Sequence, residues 1–120
     1  LEFREGRTRA RMREDVDIRK IALVATGGWW EKGNFGTVVR IAEELAADAS
    51  VDFAGAVLRP HVFLMKRAGK LTEDGEAILG AVRRAGRELV ETGVMSEGIL
   101  ETISRPLIPR EEFWRRYGEA

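Results

Sequence analysis

The sequence predicts an α/β domain built on parallel strands, and three features carry that prediction. Residues 21–26 form a continuous apolar run, too short for a helix and partly β-branched, that ends in Gly27 and Gly28. Residues 51–58, apolar apart from Asp52, form a second run, and runs of this kind fit strands covered on both faces. Between them Phe35, Val38, Val39, Ala42, Leu45, Ala46 and Ala49 recur at helical spacing. Strand, glycine-rich loop, helix and strand make a β-α-β unit, which closes right-handed and pairs its strands in parallel.

The elements follow in chain order. Residues 1–20 are charge-rich, with Leu1, Phe3, Met12, Val16 and Ile18 spaced among the charges, and read as a charged arm or short helix. Asp15 to Asp17 read as a turn into the first strand. Gly27, Gly28 and Gly33 bracket a loop that holds Trp29, Trp30, Glu31 and Lys32. Asn34 suits the N-cap of a helix over residues 35–49, because its side-chain oxygen can accept from the orphan amides of the first turn. In the second strand Val51, Phe53, Gly55 and Val57 should share a face. Pro60 ends that strand, and residues 60–71 read as a loop.

Thr72 is the expected cap of a long helix over residues 73–92. Glu73, Asp74 and Glu76 suit the positive end of its dipole, and Gly93 suits its stop. Ser96 is the expected cap of a helix over residues 97–103. Pro109 opens a final short helix with Phe113, Trp114 and Tyr117. The whole reads as a single partial domain: an arm (1–20), a β-α-β unit (21–58), then a loop and helices (59–120).

Composition narrows the function classes. The absence of cysteine excludes disulfides and cysteine-held zinc or iron–sulfur clusters, and the single histidine, His61, argues against a histidine-based metal site. Lys plus Arg and Asp plus Glu are 20 each, so net charge gives no reason to expect nucleic acid. Arg4, Arg7, Arg9, Arg11 and Arg13 crowd one stretch, but without the interleaved aromatics of a base-stacking surface they read as a solvated face or interface. There is no apolar run of about 18 residues and no apolar signal core, so no membrane association and a cytoplasmic protein are expected.

Two strands are too few for a stable parallel sheet. The expected partner is therefore a second copy, as a homo-oligomer, or an amino-terminal half that supplies more strands.

Residues 22–35, Ala-Leu-Val-Ala-Thr-Gly-Gly-Trp-Trp-Glu-Lys-Gly-Asn-Phe, and residues 53–61, Phe-Ala-Gly-Ala-Val-Leu-Arg-Pro-His, resemble the later half of flavodoxin-family proteins. That family includes the NAD(P)H-dependent FMN reductases, the WrbA-like multimeric flavodoxins and the flavoprotein part of iron–sulfur flavoproteins. Arg7-Thr8 and Lys20 are similar to the segment before the family's fourth strand. The resemblance continues to Arg-Pro-Leu-Ile-Pro at residues 105–109 and covers nearly the whole chain. It implies a flavodoxin-like three-layer parallel sheet of five strands, here its last β-α-β-α portion plus short carboxyl-terminal helices. FMN would lie at the carboxyl ends of the strands, with NAD(P)H as hydride donor. The family's phosphate-binding loop, rich in Gly, Ser, Arg and Asn, has no counterpart in this sequence.

The resemblance assigns the flavin's ring system to Thr26, Gly27, Gly28, Trp29, Trp30 and Asn34, with His61 on the same rim. Glycine amides would donate to the ring edge, and a tryptophan would stack on the ring. A structural role for the same residues is a tight strand-to-helix turn, an interface tryptophan, and a histidine bonded to local backbone. Arg59 is expected in an ion pair, and the late aromatics in packing. Three functional classes follow: an FMN-binding NAD(P)H-dependent oxidoreductase subunit or fragment, a non-catalytic half-domain that serves assembly without flavin, and a binding protein that uses the basic amino-terminal arm.

Overall fold

The computed structural model describes residues 1–9, 11, 13–15 and 17–118. Met12, Val16 and part of the turn expected at Asp15 to Asp17 lie outside them. The chain opens with an antiparallel hairpin, Glu2–Arg4 (β1) against Arg7–Arg9 (β2), where a charged arm or short helix was expected. Glu5 and Gly6 turn it, at φ 54° and 75°. Its arginines anchor it to the helix Gly36–Ala49 (α1). Arg9 reaches Glu44 at 3.0 Å, Arg7 pairs with the same carboxylate, and Arg4 donates to the Ala47 carbonyl at 3.2 Å. The arginine cluster is therefore largely spent on this helix.

Lys20–Thr26 (β3) and Asp52–Arg59 (β4) pair in parallel with α1 between them, as the periodicity predicts. The register shifts once, between Ile21 and Leu23, where Ala54 and Gly55 together stand opposite Ala22. Gly55 makes this bulge possible at φ 111°, a conformation that side chains with a Cβ avoid. The bulge corrects the expected facing. Phe53, Ala56 and Leu58 pair with Ile21, Leu23 and Ala25, while Val57 turns to the opposite face beside Val24.

On that opposite face lies the core. Val57 packs with Met65, Ile78, Ala81, Ala85, Met95 and Ile103. The helices responsible are Glu73–Thr92 (α2) and Glu97–Ser104 (α3). They cover β4 but not β3. Val57 is 6% exposed and its row neighbour Val24 is 69% exposed. The expectation of two fully covered strands is met in part by β4, which is buried or half-buried from Phe53 to Arg59, and fails for β3. On α1, Ala42 and Ala46 are buried, but Val38, Ile41 and Leu45 remain open. The described residues thus form a mixed α/β fold with a two-stranded parallel sheet that carries uncovered apolar surface.

The loop expected over residues 60–71 contains a 3-10 turn at Val62–Met65 and a small hairpin, Lys66–Arg67 (β5) with Lys70–Leu71 (β6). Thr72 caps α2 as predicted, its hydroxyl accepting from the Gly75 amide at 2.9 Å. Gly93 stops α2 at φ 78°. Ser96 precedes α3, but its hydroxyl bonds Glu88 at 3.1 Å instead of capping. Pro109 stands at the N-cap of the last helix, Arg110–Tyr117 (α4). Among the described residues no helix is long and apolar enough to cross a membrane.

Candidate functional site

Strand β3 ends at Thr26, and the chain then bends over the end of the sheet. The Gly27 amide donates to the Arg59 carbonyl at 3.0 Å, and its own carbonyl accepts from the Val62 amide at 3.0 Å. Those bonds extend the sheet pairing by one step. A Cβ at Gly27 would stand 3.0 Å from the Phe35 ring, so the glycine also makes room for a buried side chain. The Gly27 amide is therefore committed to the backbone, where a free donor for a ring edge was expected. At Gly28 the surroundings are open, with nothing within 4 Å of an added Cβ.

The next residues separate in role. Trp29 is 70% exposed. Trp30 turns inward, and its indole Nε1 donates to the Ile108 carbonyl at 3.0 Å. Asn34 was expected to cap α1. It lies instead inside a 3-10 turn, Lys32–Phe35, and Phe35 occupies the N-cap without a side-chain bond. The 3-10 turn supplies the first amides with carbonyl partners of its own, which removes the need for an asparagine cap.

Thr26, Gly28, Trp29, Glu31, Asn34 and Phe35, with Gly27 at its base, surround a cleft of about 300 Å³. Five of the seven predicted positions thus share one cleft. Its only charged wall residue is Glu31. A volume at the lower end of the ligand-pocket range fits a planar ring system rather than a whole nucleotide. A carboxylate on the wall fits a phosphate poorly. Phe35 and Glu31 carry no site signal in the sequence, where the first reads as helix core and the second as ordinary loop charge.

Trp30 and His61 do not line this cleft. They stand behind it, stacked with ring centroids 6.3 Å apart and planes 7° apart. His61 has no exposed surface and adopts φ 36°, held by its amide bond to the Trp29 carbonyl at 2.9 Å. Its Nε2 accepts from the Leu107 amide at 3.1 Å and from Arg59 Nη2 at 3.0 Å. Since both partners can only donate, the ring proton belongs on Nδ1. That atom lies beside the Trp30 and Trp29 carbonyls but makes no well-formed hydrogen bond. Burial, and next the Arg59 cation, push the imidazole below its ordinary pKa against a smaller upward pull from those carbonyls.

Arg59 is buried too, and corrects a second expectation. It has no carboxylate partner among the described residues. Its guanidinium donates to the carbonyls of Pro60 (2.6 Å), Ile103 (2.7 Å) and Arg105 (2.8 Å). Two of these carbonyls end α3, where the helix dipole is negative and favours a cation. Burial, then the nearby Arg105 cation, lower its pKa to about 10, still protonated at neutral pH. The pair Arg59 and His61 therefore ties the end of β4 to the segment after α3. The chain matches no protein-family model, no curated protein sequence and no solved structure.

Proposed function

We propose that this chain supplies the ring-facing side of an FMN site in an NAD(P)H-dependent oxidoreductase of the flavodoxin-like kind, and that a separate segment supplies the phosphate-holding side. One observation carries the reading: the cleft of residues 26–35 combines an exposed tryptophan face, an open glycine backbone and the Thr26 hydroxyl in a space suited to a flat ring. When bound, FMN would supply the hydride and electron transfer, with NAD(P)H as donor. The protein's part is to bind and shield. Trp29 offers a stacking face, Gly28 lets a ring approach the backbone, and Thr26 and Asn34 offer hydrogen bonds at the rim. The completing segment would be a second copy in a homo-oligomer or an amino-terminal half of the same fold, and the uncovered face of β3 is what calls for it.

The test is an FMN titration followed by tryptophan fluorescence on the wild-type chain and on Trp29→Phe and Trp30→Phe. Quenching should saturate in the wild type and in Trp30→Phe, and most of it should vanish in Trp29→Phe. Unquenched wild-type emission at about 100 μM FMN would sink the flavin reading.

A second reading, a non-catalytic assembly module, is favoured by a different observation. Val24, Val38, Ile41 and Leu45 are open, while Trp30 and His61 are consumed by internal contacts. That reading expects stable self-association and no bound flavin.

A further inference from the structure

A second cavity lies away from the Trp29 cleft, lined by residues of the β5–β6 hairpin and of α4. It measures about 440 Å³. Its walls divide by chemistry. Leu64, Leu107 and Ile108 are apolar, and Phe63 and Tyr117 bring two half-exposed rings that meet edge to face with centroids 5.1 Å apart. Lys66, Arg67 and Arg116 bring three cations.

The charges are unequally occupied. Arg116 pairs with Glu112 on its own helix. Asp74, the acidic residue on the wall, is bonded to Arg105 at 2.8 Å, which offsets its charge. Lys66 and Arg67 have no ion pair among the described residues. Both line the cavity from strand β5 of the small hairpin. A concave site with an apolar wall, exposed aromatic faces and two uncommitted cations suits a ligand with a planar ring at one end and an anionic group at the other.

We infer that this cavity binds a mononucleotide, with its base against Phe63 and Tyr117 and its phosphate at Lys66 and Arg67. The assignment does not rest on the flavin reading, because it uses none of the residues of the Trp29 cleft.

The experiment titrates the intact chain with AMP, adenosine and inorganic phosphate in turn, followed by backbone amide chemical shifts. AMP should saturate with a dissociation constant below about 1 mM, with the largest shifts at Lys66 to Leu71 and at Tyr117. Adenosine and phosphate should each bind about tenfold more weakly, since each keeps one half of the contacts. The double variant Lys66→Ala/Arg67→Ala should weaken AMP about tenfold, with an unchanged circular-dichroism spectrum. Adenosine as tight as AMP would remove the phosphate role, and phosphate as tight as AMP would remove the base role. Either result overturns the inference, as does AMP binding that the double variant leaves unchanged. FMN quenching of Trp29 is to be measured in the same double variant. Its persistence there beside weakened AMP binding supports two separate sites, so failure at one site leaves the other's test intact.

Discussion

The Arg59 guanidinium donates to His61 Nε2 at 3.0 Å, both residues being buried at the end of β4. A cation that can only donate therefore fixes the tautomer of the one histidine and disfavours its protonation. The same imidazole receives the Leu107 amide, so it bridges β4 to the segment between α3 and α4.

This bridge makes stability pH-dependent. The folded pKa of His61 lies below its ordinary value of 6.5, so in the window beneath 6.5 the unfolded chain binds the extra proton and the folded chain resists it. The contribution is full above that pH and is lost progressively as pH falls below it. The urea midpoint should therefore drop between about pH 7.5 and about pH 5.5. His61→Gln should flatten that slope, and an equally steep slope in the variant would assign it to other groups.

His61→Ala should cost about 2–4 kcal/mol, because it leaves Arg59 Nη2 and the Leu107 amide without an acceptor and opens a cavity beside Trp30. Equilibrium urea unfolding at neutral pH measures it. The loss should exceed that of Trp30→Phe, for which about 1–2 kcal/mol is expected, because the ring is largely kept and only the bond to the Ile108 carbonyl and some volume go.

Gly75→Ala tests a local rule against a tertiary contact. In an isolated helix the change should gain about 1 kcal/mol. Here the new Cβ would stand 2.2 Å from the Met65 carbonyl oxygen, and neither backbone can yield cheaply. The clash should win, with a net loss of about 1–3 kcal/mol in thermal or urea unfolding.

Val24→Lys tests the open face of β3. Val24 is mostly exposed in the single chain, so folding should change by no more than about 0.5 kcal/mol. If association covers this face, sedimentation velocity should show the wild type shifting to smaller species in the variant. Identical sedimentation of the two proteins would place any interface elsewhere.

Much of this architecture was legible in the residues themselves. The apolar runs at 21–26 and 51–58, the 3.6-residue stripe between them, and the Thr72 and Gly93 signals of α2 each depend on local periodicity or capping, which neighbours along the chain supply. The loop at Thr26 to Asn34 was also legible, from its glycines and tryptophans. What the sequence concealed has a common physical cause. The hairpins of β1–β2 and β5–β6 have strands of three and two residues, too short for any alternation to register. Their signal lay only in the turn residues Glu5-Gly6 and Ala68-Gly69. The bulge at Gly55 reversed the facing of Val57, since one extra residue exchanges the faces of a strand. Tertiary contacts alone decided that Arg59 would end α3 instead of meeting a carboxylate, that His61 Nε2 would accept from Arg59 and the Leu107 amide, and that Trp29 and Trp30, adjacent in the chain, would part. One ring finds a carbonyl 78 residues later and is held inside, and its neighbour has no such partner among the described residues and stays on the surface.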